Sequence, residues 1–309
     1  MEDKVNVLQI NRKIQLNLAL KKYQKSEEDL DECVSVMKNW IITEKCFPEF
    51  PDERVLINFL LMNKFDIQNT KQKLQMYYSI REILPEFFKN KHPDSAHMRE
   101  VAEKMCYIPL PKLTDEGYRV AIVKFVDDNP RNFRVYDFFA HTYNVTEIRL
   151  HEDVTAGDIL VYDLGNLKVG HFFKLTPVVL KKTSVILEKV YSNRVKQIHI
   201  LNSPKYAATT ISLTKQIMKP KMAARIHVHK RTKTISEHIS LGILPRDYGG
   251  EEKSLAELNK LWLKKLAEYK GRFDALDSMN VADVRDNSER LTNDEILGFH
   301  GDFRKLDVD

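Results

Sequence analysis

Arg194 and Lys196 stand two residues apart, and Lys221 and Arg225 four apart. On a strand the first spacing, and on a helix the second, puts both side chains on one face. Guanidinium and ammonium groups gathered this way hold phosphates, by bidentate hydrogen bonds and by charge. Their surroundings carry the same sign. From Lys168 to Lys233 fifteen Lys and Arg meet a single acid, Glu188, whereas from Asp274 to Asp309 ten acids face four bases. A basic face and an acidic tail are expected. Such a face suits nucleic acid, an anionic membrane or plain solvation. The bases are not interleaved with aromatic residues as a stacking platform requires, so no nucleic-acid partner is expected.

His171, His199, His227 and His229 raise the question of a metal, and His227 and His229 would share one face of a strand. No carboxylate or Cys accompanies them at ligand spacing, so they are read as structural histidines and no metal site is expected. Cys33, Cys46 and Cys106 are an odd number without ligand spacing, which argues for reduced, structural thiols. The chain has no Gly-rich phosphate loop, nucleophile elbow, zinc-protease helix or convincing pair of acids. Neither catalysis nor a cofactor is expected.

The elements that must position these groups can be read from periodicity. The chain has 309 residues, 43% of them hydrophobic, enough for one large core and a small helical domain beside it. Ser26 and Asp29 offer an N-cap for a helix over about 27–43, with Leu30, Val34, Met37 and Ile41 on its apolar face. After Pro48 and Pro51, the residues Val55, Leu56, Phe59 and Leu60 predict a second helix. A third runs over about 67–82 and ends before Pro85. From Tyr118 the pattern changes to short β-branched runs, at 120–125, 159–162, 195–201 and 226–228, with helical stretches between them. That alternation predicts an α/β fold with a largely parallel sheet covered by helices. Ser254 and Glu257 start a last helix, with Leu258, Trp262 and Leu266 on its apolar face. The expected divisions are an N-terminal segment over 1–25, a helical domain over 26–90, the α/β domain over 100–252, and a helix with an acidic tail over 253–309. The charged start and the lack of a run of roughly 20 apolar residues predict a soluble, cytoplasmic protein.

A set of motifs in this order resembles the CRAL-TRIO family: Asp163-Leu164-Gly165-Asn166, His171, Pro177, 194–204 (RVKQIHILNSP), Lys221, 225–229 (RIHVH) and 244–250 (LPRDYGG). The resemblance covers about 160 residues from near Gly117. Phe59-Leu60 and Lys64-Phe65-Asp66 extend it to the family's N-terminal helical domain. It implies a non-enzymatic carrier whose lipophilic ligand, such as a tocopherol, retinoid or carotenoid, lies between the sheet and a mobile helical gate. By this resemblance the cavity is lined by Phe139, Thr142, Tyr143 and Thr146 on one helix, Val161 on a strand, Ile186 and Leu187 on another helix, and Ile198. The resemblance also assigns Arg194, Lys196, Lys221 and Arg225 to a phosphoinositide headgroup, and implies a peripheral, transient contact with membranes. No stable protein partner is inferred. A lipid-sensing regulatory or scaffolding module is the alternative.

Departures from the family pattern alter these expectations. Asn63 stands where a basic residue of the helical domain is found, and the Lys-Pro pair of the gate is Lys215-Gln216. With Ala207, Ala208, Thr209 and Thr210 on the gate surface, membrane contact is expected to be more electrostatic than insertive. Asn166 replaces a frequent Gly, and a left-handed turn is expected there.

Overall fold

The computed structural model describes residues 6–9, 11–191, 194–281 and 284. The helical half contains α1 (Arg12–Tyr23), α2 (Glu27–Glu44), α3 (Glu53–Met62), α4 (Ile67–Ile83) and α5 (Pro85–Phe88). Ser26 Oγ accepts from the Asp29 N–H at 3.1 Å while the Asp29 carboxylate accepts from the Ser26 N–H at 2.9 Å, which fixes the start of α2. The expected face of Leu30, Val34, Met37 and Ile41 is buried. It packs with Phe59, Tyr77, Tyr78 and Phe87 into one aromatic-rich core. Ala19 and Leu20 of α1 join that core, so the first 25 residues hold a helix of the same body.

The α/β half follows α6 (Ala96–Lys104). Its sheet has the order β1 (Met105–Leu113), β2 (Tyr118–Phe125), β3 (Gly157–Asp163), β4 (Val195–Leu201) and β5 (Ile226–Val228). β1 and β2 are antiparallel and the other pairs parallel. β1 was not expected from the sequence. Pro109 and Pro111 interrupt its pattern and cannot donate to a ladder, which an edge strand tolerates; the register with β2 shifts between Pro109 and Leu113. The crossovers are α7 (Val135–Glu152), then α8 (Val169–Lys174) with α9 (Pro177–Lys189), then α10 (Ala207–Ile217) with α11 (Pro220–Ala223). α12 (Leu255–Glu268) covers β1: the Trp262 indole N–H donates to the Pro109 carbonyl at 3.1 Å, and Asn259 donates to Ala102 at 3.0 Å. α13 (Lys270–Ser278) follows. Most of the acidic tail lies outside the described residues, although Val281 and Val284 are buried in the helical core.

Buried charges brace the α/β half, and polar contacts from them reach the helical half. Arg119 and Arg149 both bind Asp153, at 2.6 and 3.0 Å, and Arg149 also reaches Asp158 at 2.6 Å. Burial alone would raise the Asp153 carboxyl, but the two guanidinium groups hold it below its usual range. Asn58 of α3 donates to the Leu150 and Asp153 carbonyls at 2.7 and 2.9 Å. On the other side Glu147 of α7 accepts from Tyr77 of α4 at 2.8 Å and from Arg272 of α13 at 2.9 Å.

Two turns decide local geometry. Gly249 has φ +78°, and a Cβ on Gly250 would lie 1.9 Å from the Leu244 carbonyl oxygen, so glycine is required at both positions. Asn166 corrects the expectation above: it is absent from the positive-φ residues, among which Asn202 has φ 51°. Its amide instead donates to the Phe125 carbonyl at 2.9 Å and holds the loop by its side chain.

Candidate functional site

The two faces of the sheet are packed differently. In the parallel ladders Leu160 pairs with Ile198, and Ile198 with Ile226, while Val161 pairs with Ile122 and His199. Paired residues point to the same side and neighbours alternate, so these are opposite faces. α7 lies on the Leu160 face, because its Arg149 reaches Asp158, two residues before Leu160. α9 joins it there: Tyr143 of α7 and Ile186 of α9 share one apolar cluster. On the other face Val161 and His199 are 0% exposed. On the α7–α9 face Leu160, Ile198, Ile200 and Ile226 keep 6–9% exposure in the middle of the domain. These four residues form a nearly buried apolar floor on β3–β5. α10 buries only Ala207, and its Ile211, with Met218 and Met222 beyond it, is partly buried against the same cluster as the floor.

The eight residues expected to line a cavity do not converge on one surface. Ile198 lies on the floor just described. Val161 points to the opposite, solid face. Tyr143, Ile186 and Leu187 belong to the apolar cluster shared with the helical half, and Phe139 contacts both clusters. The hydroxyls of Thr142 and Thr146 donate to the Phe138 and Thr142 carbonyls of their own helix, at 3.2 and 2.9 Å. The Tyr143 hydroxyl is buried without a hydrogen-bond partner among the described residues. Its ring stacks on Phe88 and Tyr191, each 5.6 Å away. Burial, followed by its Tyr191 and Tyr162 neighbours, pushes the phenol well above its usual range. Leu160, Ile200 and Ile226 were missed by sequence reading; the two-residue alternation with Ile198 is the signal that finds Ile200, whereas Leu160 and Ile226 join it only through the ladder register.

The bases do come together in part. Lys221 and Arg225 line an open cleft of about 270 Å³ with Lys73, Lys219, Met62 and Leu187. Arg194 lies near Arg225: burial first and then the Arg225 charge lower the Arg194 guanidinium. Arg194 also lies over the Tyr23 ring at 5.3 Å. Lys196 sits to one side, where it and Lys22 approach the Tyr118 ring at 5.8 and 4.4 Å. Asn63, at the position of the missing base, is buried in the cleft wall. Lys73, donating to the Glu188 carbonyl, brings α4's charge into the same cleft. Burial, and then Lys189 and Lys219, push Lys73 down to about 8, against the pull of Glu188. Only the packing of α4 on α9 reveals it. Lys219 pairs with Glu188 at 2.7 Å. Among the described residues no helix is long and apolar enough to cross a membrane.

His171 is buried against Phe125 and Phe133, with Nδ1 accepting from the Lys168 N–H at 3.0 Å, a structural role. His199, His227 and His229 form a separate group at the β4–β5 edge.

Residues 103–250 match the family model described as CRAL/TRIO domain, and residues 26–98 match the one described as Pinta-like, UBA domain. The chain is similar to the alpha-tocopherol transfer protein-like protein of Homo sapiens, 26% identical over 202 residues, which are 64% of this chain and 58% of that one. It is similar to clavesin-1 of Rattus norvegicus, 24% identical over 203 residues, or 64% and 57% of the two chains. The chain thus spans less than two thirds of the length of these relatives. The crystal structure of Sfh5 superposes with a TM-score of 0.47 and 14% identity, over 68% of this chain and 78% of that one.

Proposed function

Because the chain carries a CRAL-TRIO domain behind a Pinta-like UBA domain, we propose that it binds one lipophilic molecule and delivers it to membranes. The molecule would lie on the floor formed by Leu160, Ile198, Ile200 and Ile226, under α10 and its neighbours. One observation carries this reading: at the centre of the ladder Val161 and His199 are fully buried on one face, while Leu160, Ile198, Ile200 and Ile226 keep 6–9% exposure on the apolar other face. An apolar floor with residual space is costly unless something fills it. The Tyr143 hydroxyl, without a partner among the described residues and near enough to Tyr162 on the floor face of β3 to feel its charge, supports a ligand with one polar end, since an unsatisfied buried hydroxyl costs about 1–3 kcal/mol. This reading replaces Val161 with Leu160 in the lining.

The cleft of Lys73, Lys219, Lys221 and Arg225, flanked by Arg194, is proposed as the contact with an anionic headgroup, a phosphoinositide among them. Several charge-assisted bonds would act together there, and salt would weaken the first approach. The cleft lies where α11 passes into β5, so a headgroup that binds the open gate better than the closed one would favour release. The proposed role is that of a carrier without catalysis.

Ligand binding to the folded chain raises its stability by RT ln(1 + [L]/Kd), about 2.7 kcal/mol at a hundredfold excess over Kd. Thermal unfolding with retinoids, tocopherols, carotenoids and phospholipids tests the carrier reading; no shift with any of them contradicts it. Transfer of a fluorescent ligand to vesicles with and without phosphatidylinositol bisphosphate tests the cleft, with Lys221→Ala and Arg225→Ala as variants. Equal rates throughout, from folded and loaded proteins, would leave the bases as a solvated face.

A further inference from the structure

We propose that His199, His229 and His238 form a three-histidine site for a zinc-class divalent metal ion, fastening β5 and the segment after it to β4. This inference is independent of the lipid reading. Each of the three residues offers one ring nitrogen, and these nitrogens all lie within 4.8 Å of one another. A tetrahedral zinc with bonds of about 2.0–2.1 Å to nitrogen holds its ligand nitrogens about 3.3 Å apart, so small side-chain rotations complete the set.

The three ligands come from different places in the chain. His199 is fully buried on β4, His229 follows β5 and is nearly buried, and His238 caps the short 3-10 helix Thr232–Glu237. Ile235 and Ile239, at most 1% exposed, anchor the backbone on either side of His238, whose own side chain is exposed. The fourth position of an ion held here would open to solvent. Sequence reading found no third ligand because His238 lies nine residues beyond His229, and only the 3-10 turn folds it back. His227 stacks on the His199 ring at 5.3 Å and stays outside the set.

Hydrogen bonds around the rings favour a cation at this point. Thr234 Oγ1 donates to the Arg231 carbonyl at 2.8 Å, so in its 2.7 Å contact with His229 it accepts from Nδ1–H. Nε2 of His229 then carries a lone pair. Gln197 Oε1, 3.2 Å from Nε2 of His199, is placed to accept from that nitrogen. Nδ1 of His199 and Nε2 of His229 face each other, 2.8 Å apart, as a hydrogen bond in one pair of tautomers and as two lone pairs open to a cation in the other. In the second, the outer N–H groups already have the acceptors that metal-bound histidines need. Three neutral imidazoles suit zinc, and also copper, nickel and cobalt. The ion would fix β5, which follows the gate and just before which the Arg225 carbonyl accepts from the Ile198 N–H at 2.9 Å.

The test uses the full, untagged chain, stripped with a chelator and titrated with zinc chloride alone. Calorimetry is expected to give one zinc per chain with a rise in melting temperature. His238→Ala, at an exposed position that leaves the fold intact, should weaken binding about tenfold or more, and Thr234→Val, which removes the acceptor of His229, about 10–100-fold. His97→Ala, outside the cluster, should bind as wild type. Absence of one-to-one zinc binding by the wild type would overturn the proposal, and so would binding unchanged in His238→Ala.

Discussion

Leu160 and Ile198 stand side by side across the β3–β4 ladder, on the face where the apolar side chains keep 6–9% exposure. Val161, one residue on, points into the sealed face with His199. Ile198→Trp and Leu160→Trp should therefore fold and lose ligand binding, since spare volume can absorb an indole. Val161→Trp should lose about 1–3 kcal/mol or more of stability through overpacking. Circular dichroism melts alongside ligand titration separate the two outcomes; the reverse pattern would put the ligand on the other face.

Tyr143 offers a second distinction. Its buried hydroxyl has no partner among the described residues, so Tyr143→Phe should leave the empty protein as stable as wild type, or up to about 1 kcal/mol more stable. A ligand with a polar end should bind the variant about tenfold less tightly, the equivalent of about 1.4 kcal/mol. Equal affinity for the two proteins would remove Tyr143 from the site.

Lys73 gives the basic cleft a pH dependence. Its ammonium is held down to about 8, chiefly by burial, and an anion binds the charged form. Affinity for a soluble inositol phosphate should thus fall as pH rises through 8, because at pH 9 about a tenth of such a group stays charged. Lys73→Arg, charged throughout, should flatten the profile. The same slope in both proteins would assign the titration elsewhere.

Glu147 makes the joint between the halves sensitive to acid. Burial pushes its carboxyl up, but His151, Arg272 and Arg81 outweigh burial and hold it at about 2, from 4.5. A depressed carboxyl stabilises the fold above its unfolded value, and that stability is lost as pH falls from about 4.5 through about 2. The contribution is roughly 3 kcal/mol. Urea unfolding at pH 5 and pH 3 should show a steeper loss for wild type than for Glu147→Gln, which starts less stable. Parallel losses would contradict this role.

Much of the scaffold was legible locally. The Ser26 cap, the face of Leu30, Val34, Met37 and Ile41, and the strands 195–201 and 226–228 all follow from short-range patterns, and the structure has them at those places. β1 was hidden because Pro109 and Pro111 disguise an edge strand. The site was less legible, because its parts meet only through tertiary packing. Sequence spacing puts Lys221 and Arg225 together, but Lys73 joins them only through α4. Periodicity places Val161 and Ile198 on strands, yet which face each presents depends on the ladder register. His238 illustrates the same limit, since nothing in its spacing from His199 shows that the two meet.

The central claim is that this chain holds one lipophilic molecule in its folded interior. Native mass spectrometry of the purified chain, with the bound material extracted and identified, tests it most directly. The account predicts one lipophilic molecule per chain, lost in Ile198→Trp and retained in Lys221→Ala. A chain that carries no such mass as purified, and takes up none from retinoids, tocopherols, carotenoids or phospholipids, would contradict it.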